Sequence, residues 1–180
     1  LHLPVNYIFV SDHGMTDVDV TNTIPLPSVI DTSKFKIPGG GDALLHLYAK
    51  DKNDVQPTYE KLKAVAKDYD VYLTTAMPAQ WHYGKTDDRF NRIGDIILIP
   101  HLPKVFNIFN RKITPGKHGF DPVLKDMQAS FYAWGPQFKT HKKIGTFENV
   151  HVYPLVAKVL GLFYTEKIDG NIEVLENILK

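Results

Sequence analysis

A nearly continuous apolar run, Val5-Asn6-Tyr7-Ile8-Phe9-Val10, stops at the polar turn Ser11-Asp12-His13-Gly14. Pro4 bounds the run on its other side. A short, unalternating apolar run of this kind reads as a strand buried on both faces, as in a parallel sheet covered by helices. It demands a fold that supplies two covering layers. The expected fold class is therefore α/β, and the residues that leave the strand at its carboxyl end, Asp12 and His13, occupy the position where open α/β sheets bind ligands.

The rest of the chain supplies the pieces. Residues 20–42 hold Pro25, Pro27, Pro38 and a glycine triplet, and read as loop with short extended pieces. Residues 43–49 (ALLHLYA) read as a strand from their context. Over 57–69, Tyr59, Leu62, Val65, Ala66 and Tyr69 recur at helical spacing behind Pro57, a residue suited to a first helical position. An extended pattern resumes at 71–75, and 95–99 is a strongly apolar strand closed by Pro100. The segment 43–99 thus reads as a small α/β subregion beside the main sheet. Residues 130–134 (SFYAW) form a strand entering the Gly135-Pro136 turn. Residues 152–160 form a helix, with Pro154 in its first turn and Gly161 as its stop. A last short helix is expected over 172–179. With no repeats, linkers or low-complexity tracts, the chain reads as one folding unit.

Composition narrows the function. The 180 residues suffice for one domain with a core, and 21 Lys plus Arg nearly balance 20 Asp plus Glu. No basic stripe appears, which argues against nucleic acid as a scaffold partner and leaves a nucleotide substrate open. No apolar stretch reaches the roughly 18 residues of a membrane span. The chain contains no cysteine, so disulfides and thiolate chemistry are excluded. It opens Leu1-His2-Leu3 without a signal-peptide pattern, and with a strand starting almost at once we expect a cut through a longer protein.

Two histidine turns carry the candidate chemistry. Asp12 and His13 offer a carboxylate oxygen and an imidazole nitrogen, both good ligands for zinc, and Gly14 lets the backbone turn sharply. The same dipeptide also fits a plainer role, with Asp12 capping a turn and His13 merely exposed. In Gly116-Lys117-His118-Gly119-Phe120-Asp121-Pro122, His118 sits on a loop of tight turns, as a solvated histidine or as a metal ligand. Spacing alone does not bring His118 to the Asp12-His13 turn; only a fold can.

Four stretches in this order, YIFVSDHGM, WHYGKTDDRFNRIGDIILIP, GKHGFDP and DMQASFYAWGPQFKTHKKIGTFENVHVYPLVAKVLGL, resemble the type I phosphodiesterases/nucleotide pyrophosphatases of the alkaline phosphatase superfamily. The likeness runs from about Val5 to Leu162, and the chain resembles the C-terminal part of such a catalytic domain over residues 1–180. The resemblance implies an alkaline-phosphatase-like mixed sheet covered by helices, incomplete, with the small α/β insertion. It implies two zinc ions in the complete enzyme: Asp12 and His13 match ligands of the zinc that activates the nucleophile, and His118 matches a ligand of the second. Two cations about 4 Å apart suit in-line displacement at phosphorus. The expected activity is hydrolysis of phosphodiester or pyrophosphate bonds in small, nucleotide-type substrates. The alternatives are a superfamily relative acting on phosphomonoesters, phosphonates or sulfate esters, or a non-catalytic α/β binding module.

The same resemblance places a threonine nucleophile, an early aspartate and an Asp…Gly-His set upstream of the Ser-Asp-His-Gly strand. The chain alone is accordingly expected to be inactive, with the N-terminal half of the same protein as a partner and with uncovered apolar sheet surface. Folding is expected to carry Asp12, His13 and His118 to one pocket rim. A periplasmic or extracellular location is implied, the lack of cysteine favouring a bacterial periplasmic relative. Thr16 follows the Asp-His pair and reads as a loop residue; Phe120 stands where the family often has tyrosine. His46 reads as packed, His82 as a structural hydrogen-bonding residue, and Arg89 and Arg92 as structural or solvated. His2, His101, His141 and His151 carry no assigned chemistry. Gly39-Gly40-Gly41-Asp42 lacks the Lys-Ser/Thr of a phosphate-binding loop, and residues 139–143 read as solvated basic surface.

Overall fold

Buried residues of four strands, Phe35, Leu45 and Leu47, Tyr69 and Val71, and Ile96 and Leu98, meet in one core. The computed structural model describes residues 3–39 and 42–180; Leu1, His2 and the Gly40-Gly41 part of the discarded phosphate loop lie outside the described residues. The chain forms two compact units, Leu1–Gly14 with Ala129–Lys180, and Met15–Gln128, where the sequence alone reads as one.

In Met15–Gln128, strands β3 (Phe35–Lys36), β4 (Leu45–Ala49), β5 (Tyr69–Leu73) and β6 (Ile96–Pro100) form a sheet in the order β3-β4-β6-β5. All three pairings are antiparallel, with Leu45 opposite Leu98 and Val71 opposite Leu98 on the other side. Helix α1 (Val55–Val65) lays Leu62 against the sheet, in a core with Leu45, Leu47, Val71, Ile96, Leu98 and Phe106. Each such side chain contributes about 1.5–3 kcal/mol when fully buried. The helix starts two residues before Pro57, which falls in the first turn where its missing N–H has no partner to lose. It also ends earlier than expected. Its spacing appeared to continue to Tyr69, but Tyr69 opens β5 and is buried against Phe106, their rings 5.5 Å apart. Asp95 ties the sheet to the loop before α1: its carboxylate accepts from the Ala49 N–H at 2.8 Å and pairs with Lys52 at 2.6 Å. Two-residue strands β2 (Thr16–Asp17) and β7 (Gly116–Lys117) pair antiparallel in the same unit.

The other unit is built on β1 (Tyr7–Val10) and β8 (Phe131–Trp134), paired antiparallel from Tyr7–Trp134 to Val10–Phe131. Helix α2 (Val152–Leu160) stops at Gly161, whose φ of 66° closes the left-handed cap that glycine tolerates best. Leu155 joins Phe138, Leu175 and Ile178 in a small core, against which Ile8, Phe131 and Ala133 pack. The expected helix over 172–179 is instead two 3-10 turns, Ile172–Val174 and Glu176–Ile178. Asn171 caps the first by accepting the Glu173 N–H, and the turns bury Leu175 and Ile178 without a continuous helix.

The strand that opened the sequence reading departs from expectation. β1 is not buried on both faces, nor in a parallel pairing: Tyr7, Phe9 and Val10 are exposed. β8 is its one strand neighbour among the described residues, and only the Ile8 side meets the core. On the outer face Tyr7 stacks on Trp134 at 5.1 Å and Phe9 lies beside Tyr132 at 6.1 Å.

Candidate metal-binding residues

At the carboxyl end of β1 the backbone is held before it turns. The Ser11 N–H donates to the Ser130 carbonyl at 3.0 Å, and the Ser130 N–H donates to the Ser11 hydroxyl at 2.8 Å. The Asn149 amide donates to the carbonyls of Ser11 and Asp12 at 3.4 and 3.3 Å. Asp12 and His13 then emerge from a fixed stem. The Asp12 side chain is 85% exposed and that of His13 35%.

The pair converges. His13 Nδ1 lies 2.7 Å from the Gly14 carbonyl oxygen, which fixes the tautomer with the proton on Nδ1 and leaves Nε2 as the donor atom toward a metal. That Nε2 is 3.4 Å from Asp12 Oδ2. Two ligands at about 2.0–2.1 Å from a tetrahedral zinc stand about 3.3–3.4 Å apart along the tetrahedral edge. Donor chemistry, tautomer and spacing therefore all fit two positions of a zinc site. Among the described residues, no group of three or more His, Asp or Glu that could hold a metal ion is present; Asp12 and His13 could supply two donors.

His118 belongs to the other unit, where it follows β7 on an exposed loop. Pairing of Gly116 with Asp17 and of Lys117 with Thr16 holds the approach to this loop, and Lys117 is bound by the Asp42 carboxylate, which Arg111 also approaches at 3.5 Å. Beyond it, Gly119 adopts a φ of 96° and Asp121 accepts the Val123 N–H at 3.0 Å and the Trp81 indole N–H at 3.3 Å. The sequence reading missed these supports. Asp42 reads only as the end of a glycine loop, and nothing local links Asn149 or Asp42 to a turn more than seventy positions away.

Four of the other histidines make protein contacts. His46 is half-buried with Nδ1 3.0 Å from the Ile93 carbonyl oxygen. His151 Nδ1 accepts the Asn171 N–H at 2.9 Å, and His101 Nε2 lies 3.2 Å from Asp70. His82 caps a 3-10 turn in the left-handed region at φ 46°. Arg89 and Arg92 place their guanidinium groups over the Phe90 ring, at 5.2 and 4.5 Å. Thr16 donates to Asp126 at 3.0 Å from strand β2.

A family model described as type I phosphodiesterase / nucleotide pyrophosphatase matches residues 1–121. The mouse bis(5'-adenosyl)-triphosphatase enpp4 is 30% identical over 158 residues, which is 88% of this chain and 33% of that protein. Rat ectonucleotide pyrophosphatase/phosphodiesterase family member 7 is 31% identical over 185 residues, 98% of this chain and 40% of its own length. The chain thus spans a third to two-fifths of these relatives. The structure of human ectonucleotide pyrophosphatase / phosphodiesterase 5 superimposes with a TM-score of 0.84 at 24% identity, covering 97% of this chain and 45% of that one. Its likeness is one of fold.

Proposed function

The chain belongs to the type I phosphodiesterase/nucleotide pyrophosphatase family, and from that premise we propose that it is the C-terminal part of a catalytic domain that hydrolyses phosphodiester or pyrophosphate bonds in nucleotide-type substrates with two zinc ions. The observation that carries this reading is the Asp12–His13 pair at the end of β1, its Oδ2 and Nε2 at tetrahedral-edge spacing of 3.4 Å. When bound, paired zinc ions offset charge on phosphoryl oxygens and lower the pKa of an oxygen nucleophile.

The chain's own residues act as holders. Asp12 and His13 supply two donors to one zinc, the Gly14 carbonyl keeping the His13 ring turned so that Nε2 faces the Asp12 carboxylate. His118 supplies a donor to the second. Asn149, Ser11 and Ser130 keep the β1 end from swinging, so that the donors need little ordering when metal arrives. The nucleophilic threonine and the remaining donors are assigned, by the family resemblance, to segments outside residues 1–180. Residues 1–180 alone are then inactive, and the exposed aromatic face of β1 and β8 is surface that the rest of the domain covers. The relatives' designation as ectonucleotide enzymes supports a site of action outside the cytoplasm.

The test uses the full-length protein. We expect it to purify with zinc, to cleave an aryl phosphodiester at least tenfold faster than the matching monoester, and to lose activity to a chelator. Asp12→Ala, His13→Ala and His118→Ala should each lower kcat/KM at least about a hundredfold and reduce bound zinc. Wild-type rates and zinc content in the Asp12→Ala/His13→Ala double variant would overturn the assignment. A preference for monoesters would move the protein to the phosphomonoesterase branch of the superfamily.

A further inference from the structure

Within the Met15–Gln128 unit lies a pocket of about 160 Å³, open on one side. Trp81, Tyr83 and Phe120 wall it with Leu44, Met77 and Ile99, and the Gly119–Pro122 loop closes one side. An enclosed apolar cavity of roughly 150 Å³ takes up benzene. The pocket here has the volume for the same ring and mostly apolar walls, with one side open to solvent.

The walls are set in place before any ligand arrives. The Trp81 indole N–H donates to Asp121 at 3.3 Å, and its ring stands edge-on to Tyr72 at 5.5 Å. Asp121, the one charged residue of the lining, accepts this N–H and the Val123 N–H at 3.0 Å with the same oxygen. Its carboxylate is thereby tied to the wall and the loop. An ionic ligand would give up part of its water against apolar walls, whereas an uncharged ring has little to lose. A flat uncharged ring would meet aromatic faces and edges, contacts that add to the effect of the area it buries.

We propose that this cavity is a binding site for one uncharged six-membered aromatic ring. The site stands on its own geometry and does not depend on the zinc assignment. Its closing loop begins directly after His118, so an occupied cavity is expected to register at the Gly119 amide and to steady the loop that carries this histidine.

Titrating the isotope-labelled chain with benzene while recording amide and indole N–H resonances tests it. Expected are saturable shifts of the Trp81 indole N–H and the Gly119 amide with a millimolar Kd, while the Trp134 indole N–H stays in place. Met77→Trp, which fills the cavity from its rim, should abolish the shifts; Leu44→Phe serves the same purpose should that variant fail to fold. Three results would overturn the site: no saturable shift up to the solubility of benzene, unchanged shifts in a folded cavity-filled variant, or tighter binding of tetramethylammonium than of benzene. Binding is read without metal or turnover, so a failure of the hydrolase assignment leaves this result intact, and the reverse holds as well.

Discussion

β1 and β6 carry nearly the same sequence signal and meet opposite fates. Tyr7-Ile8-Phe9-Val10 and Ile96-Ile97-Leu98-Ile99-Pro100 are both unalternating apolar runs, yet Ile96, Ile97 and Leu98 are fully buried while Tyr7, Phe9 and Val10 are exposed. The difference lies in neighbours. β6 has β4 on one side and β5 on the other, and both of its faces are covered: Ile96 and Leu98 join the core, and Ile97, on the opposite face, is buried as well. β1 has β8 alone and a core on one face. An apolar run states what a strand needs around it, and the burial it attains depends on how much of that surround the chain itself provides.

The comparison predicts unequal responses to substitution. Leu98→Ala removes a side chain that is 0% exposed and should cost about 2–5 kcal/mol, read as a lower urea midpoint at unchanged m-value. Tyr132→Ala, at a position 63% exposed, should cost about 1 kcal/mol or less. Equal losses from the two would mean that the β1–β8 face is covered in solution, by self-association for instance, and would break the comparison.

Acid should act next, and in the Met15–Gln128 unit. Hydrogen bonds from the Thr21 hydroxyl and the Asn22 amide hold the Asp19 carboxyl well below the usual carboxylate range. The Ser33 hydroxyl lowers that of Asp31, and a backbone N–H at Arg92 that of Asp88. Because these folded-state values lie below the unfolded value of about 3.9, the unfolded chain takes up protons first. Their contribution is present above about pH 4 and fades as pH falls through the folded values. Hydrogen exchange between pH 5 and pH 2 should therefore show the loops at 19–22, 31–35 and 88–93 opening first. Uniform loss of protection across the unit would sink this expectation. The smallest stability change belongs to Trp134→Lys on the exposed face, within about 1 kcal/mol, with its effect seen as reduced light scattering at high concentration.

What the sequence made legible follows the range of each signal. β4, read from its context, β6, an unbroken apolar run ended by proline, and α2 with its Gly161 stop lie within two residues of where expected. α1 ran on to Tyr69 in the sequence because helical spacing persisted by coincidence, while the residue's partners, Phe106 and Pro100, are remote. The 172–179 segment had a helical face but found its burial in two 3-10 turns. The closeness of the Asp12 and His13 side chains was readable because adjacent residues at a strand end stay close. The Asn149 and Asp42 supports were not, since no local pattern announces a hydrogen bond to a turn so far along the chain.

The pairing of Tyr7 with Trp134 also sets a timetable. The sheet in Met15–Gln128 joins residues between Phe35 and Pro100 and can assemble on the ribosome as soon as that stretch has emerged. β1, made before that sheet, must wait for β8, its mate 127 positions later, roughly 6–25 s at ordinary translation speeds of about 5–20 residues per second. Throughout that interval its aromatic side chains are open to wrong partners, and the crowded polysome is where this protein is most exposed to misassembly.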